Sequence, residues 1–62
     1  TDTEEIEKLV IKVISENPNQ VQQFIDGKEQ VIGFLVGQAM KLSQGKANPE
    51  QVNQLLKETI LK

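Results

Sequence analysis

Gly33, Gly37 and Lys41 are spaced four residues apart, close to one helical turn, so a helix through this segment stacks them in a single strip. Each interior glycine costs a helix roughly 1 kcal/mol relative to alanine, and the pair therefore gives up about 2 kcal/mol. Something has to offset that loss. Either another helix of the molecule packs against the bare backbone, or a ligand does. Lys41, with Lys46 beyond it and Lys28 before the strip, supplies positive charge if that ligand is an anion.

The rest of the composition narrows the chemistry. The 62 residues include no histidine, cysteine, tryptophan or tyrosine, so the side chain that titrates near neutral pH and the thiolate and imidazole ligands of zinc are missing. Stand-alone catalysis, a resident metal and a cofactor are therefore not expected. A chain of this length without disulfides predicts one domain around a single core, worth about 3 to 5 kcal/mol. The longest apolar run, Val31 to Val36, contains a glycine and spans six residues, against roughly 20 needed to cross a bilayer, so no membrane partner is expected. The first residue is Thr1 and no signal peptide follows, which suggests a piece excised from a longer protein.

Net charge is −2, unevenly spread. Five acids face two lysines through Glu16, residues 17–25 carry no charge, and from Asp26 onward five lysines exceed four acids. The global field opposes nucleic acid, so any such role needs a local cluster of lysines. DNA is not expected as a partner.

Four helical segments must position these residues. Ile6, Leu9, Val10, Val13 and Ile14 follow the one-face pattern of a helix, predicting a first element over about 3–15, with Asp2 or Thr3 as its cap. Asn17 and Pro18 predict a cap and first position for a short second helix, about 18–26, with Val21, Phe24 and Ile25 available for burial and Gly27 as its left-handed stop. A third helix is expected over about 28–43. At about 100° per residue, Val31, Leu42, Leu35, Ala39, Ile32, Val36 and Met40 fill one half of its circumference, while Gly33, Gly37 and Lys41 fall at roughly 200°, 240° and 280° from Val31. Phe34 and Gln38 border that strip. Gly45 should end this helix, Asn48-Pro49 repeats the cap-then-proline signal, and Val52, Leu55, Leu56, Thr59 and Ile60 predict a fourth helix over about 49–61. No run alternates with period two, so the fold class is all-α, a compact three- to four-helix bundle.

The stretch from Gly27 to Leu56, GKEQVIGFLVGQAMKLSQGKANPEQVNQLL, closely resembles the carboxy-terminal domain shared by the B subunit of the aspartyl/glutamyl-tRNA amidotransferase (GatB) and the YqeY proteins. The glycine-lysine opening, the GFLVGQxMK core, and the GKAxP turn followed by VNxLL stand in matching order, and the preceding ENPxQV extends the likeness. GFLVGQAMK followed by GKANP looks more like GatB than YqeY. Ile32 and Leu42-Ser43-Gln44 depart mildly from the pattern, leaving fewer positive charges before Gly45. The resemblance implies an all-helical, noncatalytic tail that grips the outer corner of tRNA. It also implies a cytoplasmic parent subunit working with A and C subunits to turn Glu-tRNA(Gln) or Asp-tRNA(Asn) into the amide-charged form. ATP and magnesium belong to the amino-terminal part of that subunit.

RNA held without sequence readout needs cations for phosphates and backbone close enough for the ribose-phosphate chain. Gly33 and Gly37 would lower the helix surface, Lys41, Lys46 and Lys28 would flank it, and Phe34 and Gln38 would meet what lies on it. Three neutralised phosphates predict some 40-fold weakening between 50 and 200 mM salt, at a slope of about −0.9 per contact. Competing readings are close packing of the first or fourth helix on the glycines, a protein-docking module using the acidic first helix or Phe34, a stand-alone YqeY-like protein, and an independent enzyme whose support is a scatter of solvated carboxylates.

Overall fold

A computed structural model describes the backbone from Asp2 to Leu61 and the side chains from Glu4 to Leu61. Among these residues there are four helices and no strand: α1 (Asp2–Glu16), α2 (Pro18–Ile25), α3 (Val31–Leu42) and α4 (Pro49–Ile60). The expected side-chain caps of α1, Asp2 and Thr3, lie outside the described side chains.

The apolar stripes meet in one core: Ile6, Val10 and Val13 from α1, Phe24 from α2, Ile32, Leu35 and Ala39 from α3, and Val52 and Leu56 from α4. Among the described residues no polar or charged side chain is buried. The core is the hydrophobic term acting alone, without a buried hydrogen-bonded network to specify it. Helix α3 packs against each of the other three, as its broad apolar arc requires. Several residues expected on buried faces lie outside the core. Ile25 and Leu42 are exposed, each at a helix end where the neighbouring helices no longer cover it, and Thr59 is exposed at the edge of the α4 stripe.

The two Asn-Pro signals work differently. Asn48 caps α4 as expected, its Oδ1 accepting from the Glu50 N–H at 2.9 Å. Asn17 makes no such bond to α2. Its side-chain Nδ2 instead donates back to the Val13 carbonyl at 2.9 Å, and its backbone N–H reaches the same oxygen at 3.1 Å. A single residue separates α1 from α2, and its side chain satisfies the carboxy-terminal carbonyl of the first rather than the amides of the second, where only its backbone carbonyl accepts, from Val21.

Helix α3 is shorter than expected at its amino end, starting at Val31 instead of Lys28. The reason lies in how α2 stops. Gly27, at φ +109°, donates to the Phe24 carbonyl while Lys28 donates to that of Gln23, the paired bonds of a Schellman stop. The first bonds after the stop close three-residue turns, so the four-residue α pattern is reached later than Lys28. The chain turns through Glu29 and Gln30, with Val31, Ile32 and Gly33 each donating three residues back.

At the other end of α3 the same motif recurs one residue earlier than the glycine suggests. Gln44 donates to Lys41 and Gly45 to Met40, which makes Gln44, at φ +58°, the left-handed residue, with Gly45 following at φ +78°. A glutamine there carries a steric cost that glycine avoids. Gln44→Gly is expected to stabilise the domain by about 1 kcal/mol, read as a raised urea midpoint. An unchanged or lowered midpoint would show that Gln44 is not strained.

Candidate nucleic-acid interface

The strip predicted on α3 is on the surface. Gly33, Phe34, Gly37 and Lys41 are exposed, while Ile32, Leu35 and Ala39 on the opposite arc are buried. Beyond the helix's own backbone and the adjoining residues, a Cβ added at either glycine would meet no described atom within 4 Å. Among the described residues no other helix packs on this backbone, so close packing of α1 or α4 does not account for the glycines. From Gly33 to Lys41 the strip runs about 12 Å along the helix, interrupted by no side chain longer than hydrogen at its two glycines.

Phe34 stands beside this lane with 46% of its surface exposed, and Gln38 is half-buried at the margin. The other aromatic, Phe24, is core. The three lysines do not gather at one point. Lys41 lies on the strip in the last turn of α3, Lys28 is exposed in the turn before that helix, and Lys46 is exposed in the loop after it. They mark the two ends of α3, separated by about the 18 Å length of a helix of 12 residues.

Lys46 also belongs to a second feature. It lines an open groove of about 610 Å³ with Glu5, Ile6 and Leu9 of α1, Ser43 at the end of α3, and Ala47, Asn48 and Gln51 around the start of α4. The floor is apolar and the rim carries one charge of each sign. Among the described residues no three carboxylates come together in a way that could hold a metal ion, and no helix is long and apolar enough to cross a membrane.

A family model described as the GatB domain, common to GatB and YqeY, matches residues 1–60 of the chain. The chain belongs to the GatB/YqeY family. It is similar to the B subunit of the aspartyl/glutamyl-tRNA(Asn/Gln) amidotransferase from Coxiella burnetii, with 53% identity over 60 residues, covering 97% of this chain and 13% of the relative. Identity is 55% to the corresponding protein of Nitrosococcus oceani, with the same coverage. For that of Halorhodospira halophila it is 57%, covering 97% of this chain and 12% of the relative. The chain thus spans roughly an eighth of the length of these relatives, at their carboxy-terminal end. No solved structure matches the chain.

Within this GatB domain one positioning residue does not stand out from the sequence. Ser43 Oγ donates to the Met40 carbonyl at 3.0 Å and accepts from the Ala47 N–H at 3.2 Å. It ties the end of α3 to the far side of the loop and thereby sets where Lys46 sits. Its signal is a serine at the carboxy terminus of a helix, where the hydroxyl competes for backbone partners, but it falls within the Leu42-Ser43-Gln44 stretch that departs from the family pattern.

Proposed function

We propose that this GatB-family domain is a noncatalytic tRNA contact of a B subunit. The subunit serves the enzyme that converts Glu-tRNA(Gln) and Asp-tRNA(Asn) to Gln-tRNA(Gln) and Asn-tRNA(Asn) in the cytoplasm, with A and C subunits as its other partners. ATP and magnesium serve the catalytic part of that enzyme, and this domain supplies a surface. The uncovered backbone at Gly33 and Gly37 carries the reading. About 2 kcal/mol of helix stability is given up there and no internal packing recovers it. A ribose-phosphate chain laid along the lane gains close approach to the backbone, a cation at Lys41 and an exposed ring at Phe34 on which a base can stack. The family membership and the names of the relatives favour tRNA as that RNA.

Contact through Lys41 is electrostatic and so depends on salt. Lys41→Ala is expected to weaken tRNA binding and to reduce the magnitude of the log-log salt slope by about one, while the helical circular dichroism is unchanged. Filter binding of labelled tRNA over a range of salt concentrations measures both. A variant that stays folded and retains wild-type affinity and slope would exclude Lys41 as a phosphate contact.

A further inference from the structure

We infer that the groove between α1 and α4 is a docking site for a basic amphipathic helix of another protein chain. Glu7, Ile11, Leu55, Glu58 and Thr59 line this depression of about 280 Å³. Ile11 is 59% exposed, on the outer side of a helix whose Ile6, Val10 and Val13 are core. An isolated exposed aliphatic residue is ordinary, so the floor alone decides nothing.

The walls decide. Both charged residues of the lining are carboxylates, Glu7 from α1 and Glu58 from α4, and Glu58 accepts one hydrogen bond, from Gln54 Nε2 at 3.3 Å, which leaves its charge unneutralised. Lys8, three residues before Ile11, is not part of the lining. A phosphate-bearing partner is repelled here, and an acidic or neutral peptide would shield two carboxylates from water without replacing what it removes. A helix with leucine or isoleucine at its centre and lysine or arginine one turn to each side answers both the apolar floor and the two carboxylates. It covers Ile11 and Leu55 and places a cation at each carboxylate. The inference does not depend on the RNA reading, because it concerns a different face and the opposite sign of charge.

The test is an NMR titration of the 62-residue chain with two designed helical peptides. They share a leucine stripe and differ by lysine or glutamate at every flanking position. The lysine peptide is expected to shift the Ile11 and Leu55 methyl signals, and the glutamate peptide to leave them in place. Ile11→Ser should abolish the response. The exposed pair Glu7→Gln and Glu58→Gln should weaken it about tenfold, and keeps the test alive if Ile11→Ser does not fold. Equal response to both peptides, shifts gathered on another face, or silence at millimolar lysine peptide would each overturn the inference. So would movement of the Ile11 signal on addition of tRNA, or on raising the concentration of the chain alone. tRNA shifts at Gly33 and Gly37 report separately on the other face.

Discussion

Leu35→Ala is expected to abolish the cooperative thermal transition of the domain. Leu35 is fully buried on α3, a helix that packs against each of the other three. Truncating a leucine so placed costs about 2.7 to 5 kcal/mol in transfer and cavity terms. A core of this size supplies only about 3 to 5 kcal/mol in all, so the substitution consumes most or all of it. Far-UV circular dichroism at 25 °C should show the helical signal largely lost, whereas Leu42→Ala at the exposed end of the same helix should change stability by about 0.5 kcal/mol or less. A Leu35→Ala protein melting within a few degrees of the parent would mean that the bundle is not centred where its burial places it.

The double substitution Gly33→Ala and Gly37→Ala should move stability and RNA binding in opposite directions. Both glycines are helical, and added methyl groups meet open space. Helix propensity alone then stabilises the fold by about 2 kcal/mol, raising the melting temperature by roughly 8 to 16 °C in a domain of this size. The same methyl groups hold a ribose-phosphate chain away from the backbone, and tRNA affinity should fall about tenfold or more, equivalent to about 1.4 kcal/mol. Calorimetry and filter binding on one preparation give both numbers. A stabilised variant with undiminished affinity would show that RNA does not use this lane. A destabilised variant would show that the space over the glycines is not open.

Much of the fold is legible in the sequence because its strongest signals are periodic. The stripes of α1 and α4 need only the spacing of Ile6, Val10, Val13, Val52 and Leu56, all of which are buried. The arc of α3 likewise places its glycines on the outer side by spacing alone. What periodicity cannot decide is whether a neighbour covers that side, since helix spacing describes one helix and coverage involves two. Termini are harder still. The late start of α3 follows from the three-residue turns that Val31, Ile32 and Gly33 close after the stop at Gly27, and the left-handed turn at Gln44 follows from counting bonds rather than finding a glycine. Asn17 and Asn48 are identical signals in one dimension. They diverge because one residue of linker leaves the Val13 carbonyl within reach of Asn17, while the longer loop before Asn48 keeps its side chain free for the helix ahead. Ile11 gives no comparable signal because it falls outside the repeating pattern of its own helix, and its interest arises only from what α4 brings beside it.

The position of α3 has a consequence for the kinetics of recognition. The candidate lane is the outer surface of the helix that the remaining three all grip from within. Its backbone is consequently among the last to open when the domain fluctuates, with amide exchange there governed by global unfolding even though the surface is wet. A partner binding there would meet a preformed helix and need not wait for, or order, a mobile loop. Encounter rate is then set by orientation and charge, and the ordering cost of association falls on the flexible partner rather than on this bundle.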